Sequence, residues 1–204
     1  MTYQVVSVLP QDNKKVMICL DNGEAFVLYK GEAAKLSLFE KEIIDDTKYQ
    51  QIMKEILGKR ATKRAMHLLE QQDRTEKQLR DKLKQGGYPE VCIEQAIAYV
   101  KSYHYVDDYR YATVYVRYHQ QKESRQKLTQ KLMMRGISRD IIQQALEEEF
   151  VSDECEQIKE LLKKRRYDPE CSDEATRRKT AQFLMRKGFK HGDIFRVMHM
   201  EEAF

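Results

Sequence analysis

The chain has 204 residues, 41% hydrophobic and 34% charged, with only 8 glycines and 3 prolines, a composition that disfavours loop-rich β architectures and favours helices joined by short turns. No apolar run approaches the ~18 residues of a membrane helix, so no membrane association is expected. The net charge of +4 is spread along the chain, and no segment is basic enough to mark a nucleic-acid binder by charge alone.

The first elements read as strands. Residues 3–9 are β-branched and apolar, residues 10–15 are a polar break, and residues 16–20 and 25–29 flank Asp21-Asn22-Gly23-Glu24. There Asn-Gly suits the positive φ of a type I′ hairpin turn. Pairing about that turn sets Leu20 opposite Ala25, Ile18 opposite Val27 and Val16 opposite Tyr29. Cys19 then faces Phe26 and Met17 faces Leu28, so both faces are apolar and the element needs helices to lean on. A short helical turn near residues 31–35 and the pair Ile43-Ile44 lead to Asp46-Thr47, the expected N-cap of a helix carrying Ile52 and Ile56. Residues 1–57 are thus a β-rich extension with a linking helix.

From about Ala61 the pattern is helical and repeats. Thr75, Leu79, Leu83, Gly87 and Ile93 recur as Ser124, Leu128, Leu132, Gly136 and Ile142, and again in part as Thr176, Leu184, Gly188 and Ile194. Self-similarity at such a period marks a helical repeat array. In each unit the Ser or Thr opens and caps a second helix, leucines at i and i+4 form its buried stripe, and the glycine ends it in the left-handed conformation. The third helix packs through Ile93, Ile97 and Val100, or through Ile142, Ala145 and Leu146. The first contributes Ala65, Leu68 and Leu69, then Ala112, Tyr115 and Val116, then Ile158, Leu161 and Leu162. The fold class expected is mostly α: an elongated tandem array of three three-helix repeats, at 58–108, 109–152 and 153–204, preceded by a small N-terminal β-hairpin element.

Candidate functional groups are few in kind. Cys19, Cys92, Cys155 and Cys171 stand apart with no C-x-x-C pair, and the histidines at 67, 104, 119, 191 and 199 show no ligand spacing, so neither disulfides nor a metal is expected. Asp107-Asp108 suits a helix N-terminus better than a catalytic pair. Tyr111, Tyr115 and Tyr118 share a helix face with Arg110 and Arg117 nearby, an arrangement that serves packing or base stacking. Phosphate-loop, dinucleotide, zinc-protease and serine-hydrolase motifs are absent, so an enzyme and a cofactor are not expected. The basic residues of the second helices are the leading candidates: Lys77, Arg80 and Lys84; Arg125, Lys127, Lys131 and Arg135; Arg177, Arg178, Arg186 and Lys187. With Arg110 at the junction, they lie off the leucine stripe and suit a polyanionic partner.

Tyr105-Val106-Asp107-Asp108-Tyr109-Arg110-Tyr111-Ala112 resembles the Tyr-x-Asp-Asp-x-x-(Phe/Tyr)-Ala junction of the RecX family, regulators of the recombinase RecA. Residues 65–69, 74–79 and 82–88 resemble that family's first repeat, and Arg125, Leu128, Leu132, Arg135, Gly136 and Ile137 its second; 155–204 match more weakly. Lys122-Glu123-Ser124 stands where the family often has a glycine. The resemblance implies a cytoplasmic protein that lies on the RecA filament on single-stranded DNA and inhibits its ATPase, strand exchange and coprotease activities. The expectation from the chain itself is a monomer, with further contact to single- or double-stranded DNA through the basic helix faces. The alternative is a helix-turn-helix-like DNA-binding transcription regulator, since each second helix, glycine turn and third helix can be taken for that motif.

Overall fold

The turn at Gly23 sets the register of the first sheet. In the computed structural model, which describes residues 1–168 and 171–198, the Gly23 N–H donates to the Leu20 carbonyl at 3.1 Å and the Leu20 N–H to the Glu24 carbonyl at 2.8 Å. Gly23 takes φ +84°, so the loop is a type I turn followed by one left-handed residue. The expected two-residue turn would need positive φ at Asn22 as well; instead the Asn22 side chain accepts the Glu24 N–H at 3.0 Å. The longer loop shifts the pairing by one residue. β2 (Lys15–Leu20) and β3 (Ala25–Tyr29) set Ile18 opposite Phe26 and Val16 opposite Leu28. Those four side chains are buried on one face, while Met17, Cys19 and Val27 are only half-buried on the other.

The hairpin is half of a larger element. β1 (Thr2–Pro10) pairs antiparallel with β2 across a bulge between Val5 and Ser7, and on its other side with β4 (Ile43–Asp45). The sheet order is β3-β2-β1-β4. Helix α1 (Lys30–Lys35) follows β3.

Asp45 caps the helix that follows, its carboxylate accepting the Lys48 N–H at 2.7 Å; the N-cap lies one residue before the expected Asp46. From there α2 (Asp46–Gln50), a π-helical stretch (Gln51–Gly58) and α3 (Lys59–Gln71) form one path, since the residues joining them keep right-handed helical angles. The π stretch lies against α5 (Glu90–Ser102), which follows α4 (Glu76–Gln85). The Cys92 thiol donates to the Met53 carbonyl at 3.3 Å, and a β-carbon on Gly58 would come within 2.1 Å of Gln95 Oε1. Burial pushes the Cys92 thiol up to about 11, which keeps it a protonated packing group. Val5, Ile18, Phe26 and Ile44 of the sheet share one cluster with Ile52, Leu83, Ile93 and Ile97. Sheet and first three-helix domain are therefore one compact unit, ending at Asp107.

The second unit begins at Asp108 and contains α6 (Asp108–His119), α7 (Arg125–Met134), α8 (Arg139–Glu149), α9 (Glu154–Lys164), α10 (Glu174–Arg186) and α11 (His191–Met198). Its two domains have separate cores: Ala112, Val116, Leu128, Leu132, Ile142 and Leu146 in one, Ile158, Leu162, Leu184, Phe189 and Ile194 in the other. The protein is mostly helical, with three three-helix domains following a four-stranded sheet in chain order.

The three domains share their punctuation. Gly87, Gly136 and Gly188 have φ of +77°, +87° and +87°, and each ends its helix with the same bond pair. Gly87 N–H donates to Lys84 and Tyr88 N–H to Leu83; Gly136 to Met133 and Ile137 to Leu132; Gly188 to Met185 and Phe189 to Leu184. This is the Schellman closure, which satisfies carbonyls the helix would otherwise orphan. At the helix starts, Thr75 and Ser124 cap as expected, accepting from the Gln78 and Lys127 N–H groups. Thr176 does not: the N-cap of α10 is Asp173, whose carboxylate accepts the Thr176 N–H at 2.8 Å, so that helix starts earlier than its counterparts.

Candidate partner-binding surface

In the first unit, Arg80 is held in place. Its Nε donates to Glu76 at 2.9 Å and its Nη2 to Glu94 at 3.0 Å, and Lys101 joins Glu76 at 2.7 Å. The Glu94 hydrogen bond, followed by that of Glu76, drives the guanidinium further above its usual range, and the same bond holds Glu94 below the ordinary carboxylate value. At Glu76 burial opposes ionisation, but the bonds from Lys101 and Arg80 outweigh it and lower the carboxyl. Arg80 thus ties α4 to α5, whereas Lys77 and Lys84 are exposed.

In the second unit, Lys131 pairs with Glu123, whose side chain is only 14% exposed. Arg135 donates to the Tyr111 hydroxyl at 3.2 Å and the Lys131 carbonyl at 3.0 Å, and its guanidinium lies 4.6 Å from the Tyr115 ring centroid. Tyr111, Tyr115 and His119 stack in series at 6.3 and 4.0 Å. That ladder runs i, i+4, i+8; Tyr118, expected on the same face, is 73% exposed. The Arg135 contacts make the ladder a packing feature. Lys127 is half-buried and reaches Gln130 at 3.3 Å. Lys187 is half-buried 5.9 Å from the Phe183 ring centroid. Arg177 is half-buried, and Arg178 is exposed beside Glu174 at 3.1 Å. Arg110, Arg125 and Arg186 are exposed.

Two basic clusters from different domains meet. The Ser124 N–H donates to the Lys187 carbonyl at 3.4 Å, and a β-carbon on Gly188 would lie 2.9 Å from Lys127 Cβ. Arg125 and Lys127 at the start of α7 therefore stand beside Arg186 and Lys187 at the end of α10. The rest of the joint is polar. The Gln120 carbonyl accepts from Gln157 at 2.7 Å, its side-chain oxygen accepts from the Val151 N–H at 3.0 Å, and Glu154 accepts the Arg125 N–H at 2.7 Å.

Two features escaped the sequence reading. Tyr99, Tyr103 and Tyr105 are exposed: Tyr99 meets Tyr103 in a tilted contact at 4.9 Å, and Tyr103 stacks on Tyr105 at 5.8 Å, because His104 takes φ +54° and folds Tyr105 back across the helix end. Met133, Met134 and Met185 are also exposed. Adjacent methionines after Leu132 were a signal, since two neighbours in a helix cannot both face the core. Among the described residues, no group of three or more His, Cys, Asp or Glu could hold a metal ion, and no helix is long and apolar enough to cross a membrane. His199 lies outside the described residues.

The chain is a mostly helical protein of three three-helix domains, the first of which shares its core with a four-stranded sheet. Family models for the first, second and third three-helix domains of RecX match residues 61–99, 107–146 and 152–198. A regulatory protein RecX of Caldanaerobacter subterraneus is 28% identical over 93% of this chain and 95% of its own; one from Clostridium perfringens is 27% identical over 91% and 89%. Among solved structures, a regulatory protein RecX aligns with TM-score 0.60 at 24% identity, covering 97% of this chain and 98% of that one. RecX from Lactobacillus salivarius aligns with TM-score 0.55 at 23% identity, over 70% and 95%. The chain belongs to the RecX family.

Proposed function

We propose that this protein regulates RecA: it binds the filament that RecA forms on single-stranded DNA and lowers its ATPase, strand exchange and coprotease activities. The observation that carries this reading is the match to all three RecX three-helix domains in order, with relatives that are regulatory proteins along nearly their whole length. The exposed cations Lys77, Lys84, Arg110, Arg125, Arg178 and Arg186 supply attraction to an acidic protein surface or to DNA, single- or double-stranded. Linked domains that each touch the filament gain effective concentration from the linkage. It acts as a cytoplasmic monomer without a cofactor.

A sequence-specific DNA regulator is disfavoured by the third helices. Glu94 of α5 is tied to Arg80, and on α8 Glu149 binds Arg117 at 2.6 Å and Glu148 takes the Tyr109 hydroxyl. Beyond these engaged groups, α5 offers little but Glu90 and Gln95, and α8 little but Arg139, Gln143 and Gln144, to reach base edges.

Co-sedimentation with RecA filaments on single-stranded DNA tests the proposal. The protein should pellet with filaments, and reversal of Lys77, Lys84, Arg125 and Arg178 to Glu should release it while helical content stays intact. Failure of the wild-type protein to pellet would overturn the reading.

A further inference from the structure

The second and third domains meet at an open groove of about 930 Å³, walled by Lys127, Met133 and Met134 on one side and by Met185, Arg186 and Phe189 on the other. Met134 is 74% exposed, Met185 41% and Met133 39%, with Phe189 buried beneath them. Three thioether side chains so placed form an apolar patch that water covers poorly, and methionine adapts to differently shaped apolar side chains. The groove's charge has one sign. Its lining includes Lys127 and Arg186 and no carboxylate, α7 carries no acidic residue along its whole length, and among the described residues no salt bridge engages either cation. The walls are held together where Gly188 meets Ser124 and Lys127, so little ordering is needed on binding.

We propose that this groove seats an acidic protein segment carrying an apolar side chain: the apolar group enters among Met133, Met134 and Met185, and flanking carboxylates meet Lys127 and Arg186. Protein is favoured over nucleic acid because the groove offers no exposed ring for a base to stack on, its single aromatic, Phe189, being 4% exposed. Only the identity of the partner rests on the RecA reading; the chemistry of the seat does not.

Two arms test it. In the first, a short fluorescent peptide of glutamates around one phenylalanine is titrated against the full-length protein, beside the same peptide with alanine and beside oligo-dT. Wild type should prefer the phenylalanine peptide by roughly tenfold, about 1.4 kcal/mol. The pair Met134→Ser and Met185→Ser should erase that preference, and Arg186→Glu should weaken both peptides, with circular dichroism unchanged throughout. In the second arm the same variants are measured on RecA filaments, where the serine pair should lose affinity. Equal binding of the two peptides by wild type overturns the seat, as does a variant set that loses only oligo-dT, or one that changes only self-association. If the peptide preference holds and wild type ignores the filament, the seat stands and RecA is the wrong partner.

Discussion

Gly188, the helix-ending glycine of the third domain, packs on Ser124, the helix-capping serine of the second: a β-carbon built on Gly188 would stand 2.6 Å from Ser124 Oγ. One residue closes α10 in the left-handed region while leaving room for the preceding domain's cap. Gly87 has similar backbone angles but meets only Val27, at 3.4 Å. Gly87→Ala should therefore carry the left-handed penalty alone, about 1–2 kcal/mol, whereas Gly188→Ala adds a steric overlap. Calorimetry of the two variants should show the larger loss for Gly188→Ala.

Leu132 is fully buried in the core of the second domain. Leu132→Ala should cost about 2–5 kcal/mol through lost burial and the cavity left behind, visible as a lower denaturation midpoint. A loss under 1 kcal/mol would mean the site is not packed as described.

Lys131 and Lys127 lie one turn apart on α7 yet differ in role. Lys131 neutralises the largely buried Glu123, so Lys131→Ala leaves that carboxylate uncompensated and should cost about 1–3 kcal/mol. Lys127→Ala, which loses only a contact with the exposed Gln130, should change stability far less. Urea titrations of the two variants separate these outcomes.

Acid should loosen the ion-paired seams. Glu76 and Glu94 in the first unit, and Glu149 beside Arg117 in the second, are all held below the ordinary glutamate value of 4.5. A carboxyl lowered in the folded state stabilises fully above its unfolded pKa, and that contribution fades as pH falls through the folded value. Thermal midpoints should be flat above about pH 6 and drop below about pH 4.5, the drop shrinking in Arg80→Met. A midpoint that rises on acidification would contradict the sign.

Much of the fold was legible because its signals are local. Gly87, Gly136 and Gly188 must be left-handed for the chain to turn, and leucine pairs four apart face one way whatever surrounds them. Two readings failed, and one strand went unread, where distant or longer-looped geometry decided. The Asn22-Gly23 turn took one more residue than the dipeptide suggested and slid the register. Ile43–Asp45 became a strand only because β1 offered an edge at Thr2 to Gln4. Asp173 displaced Thr176 as a cap because either residue can open a helix. The candidate surface was legible as residue types alone. Nothing near Arg80 announces Glu94, fourteen residues on, and nothing near Arg135 announces the Tyr111 hydroxyl. Exposed and structurally engaged cations look alike until the helices are packed.

The measurement that tests the central claim most directly is RecA's ATP turnover on single-stranded DNA, followed as this protein is added across a series of salt concentrations. Turnover should fall with added protein at low salt, and the suppression should weaken as salt rises, since exposed charges are screened beyond ~8–10 Å near physiological ionic strength. Turnover unchanged at several-fold excess of protein over RecA, at any salt, would contradict the account.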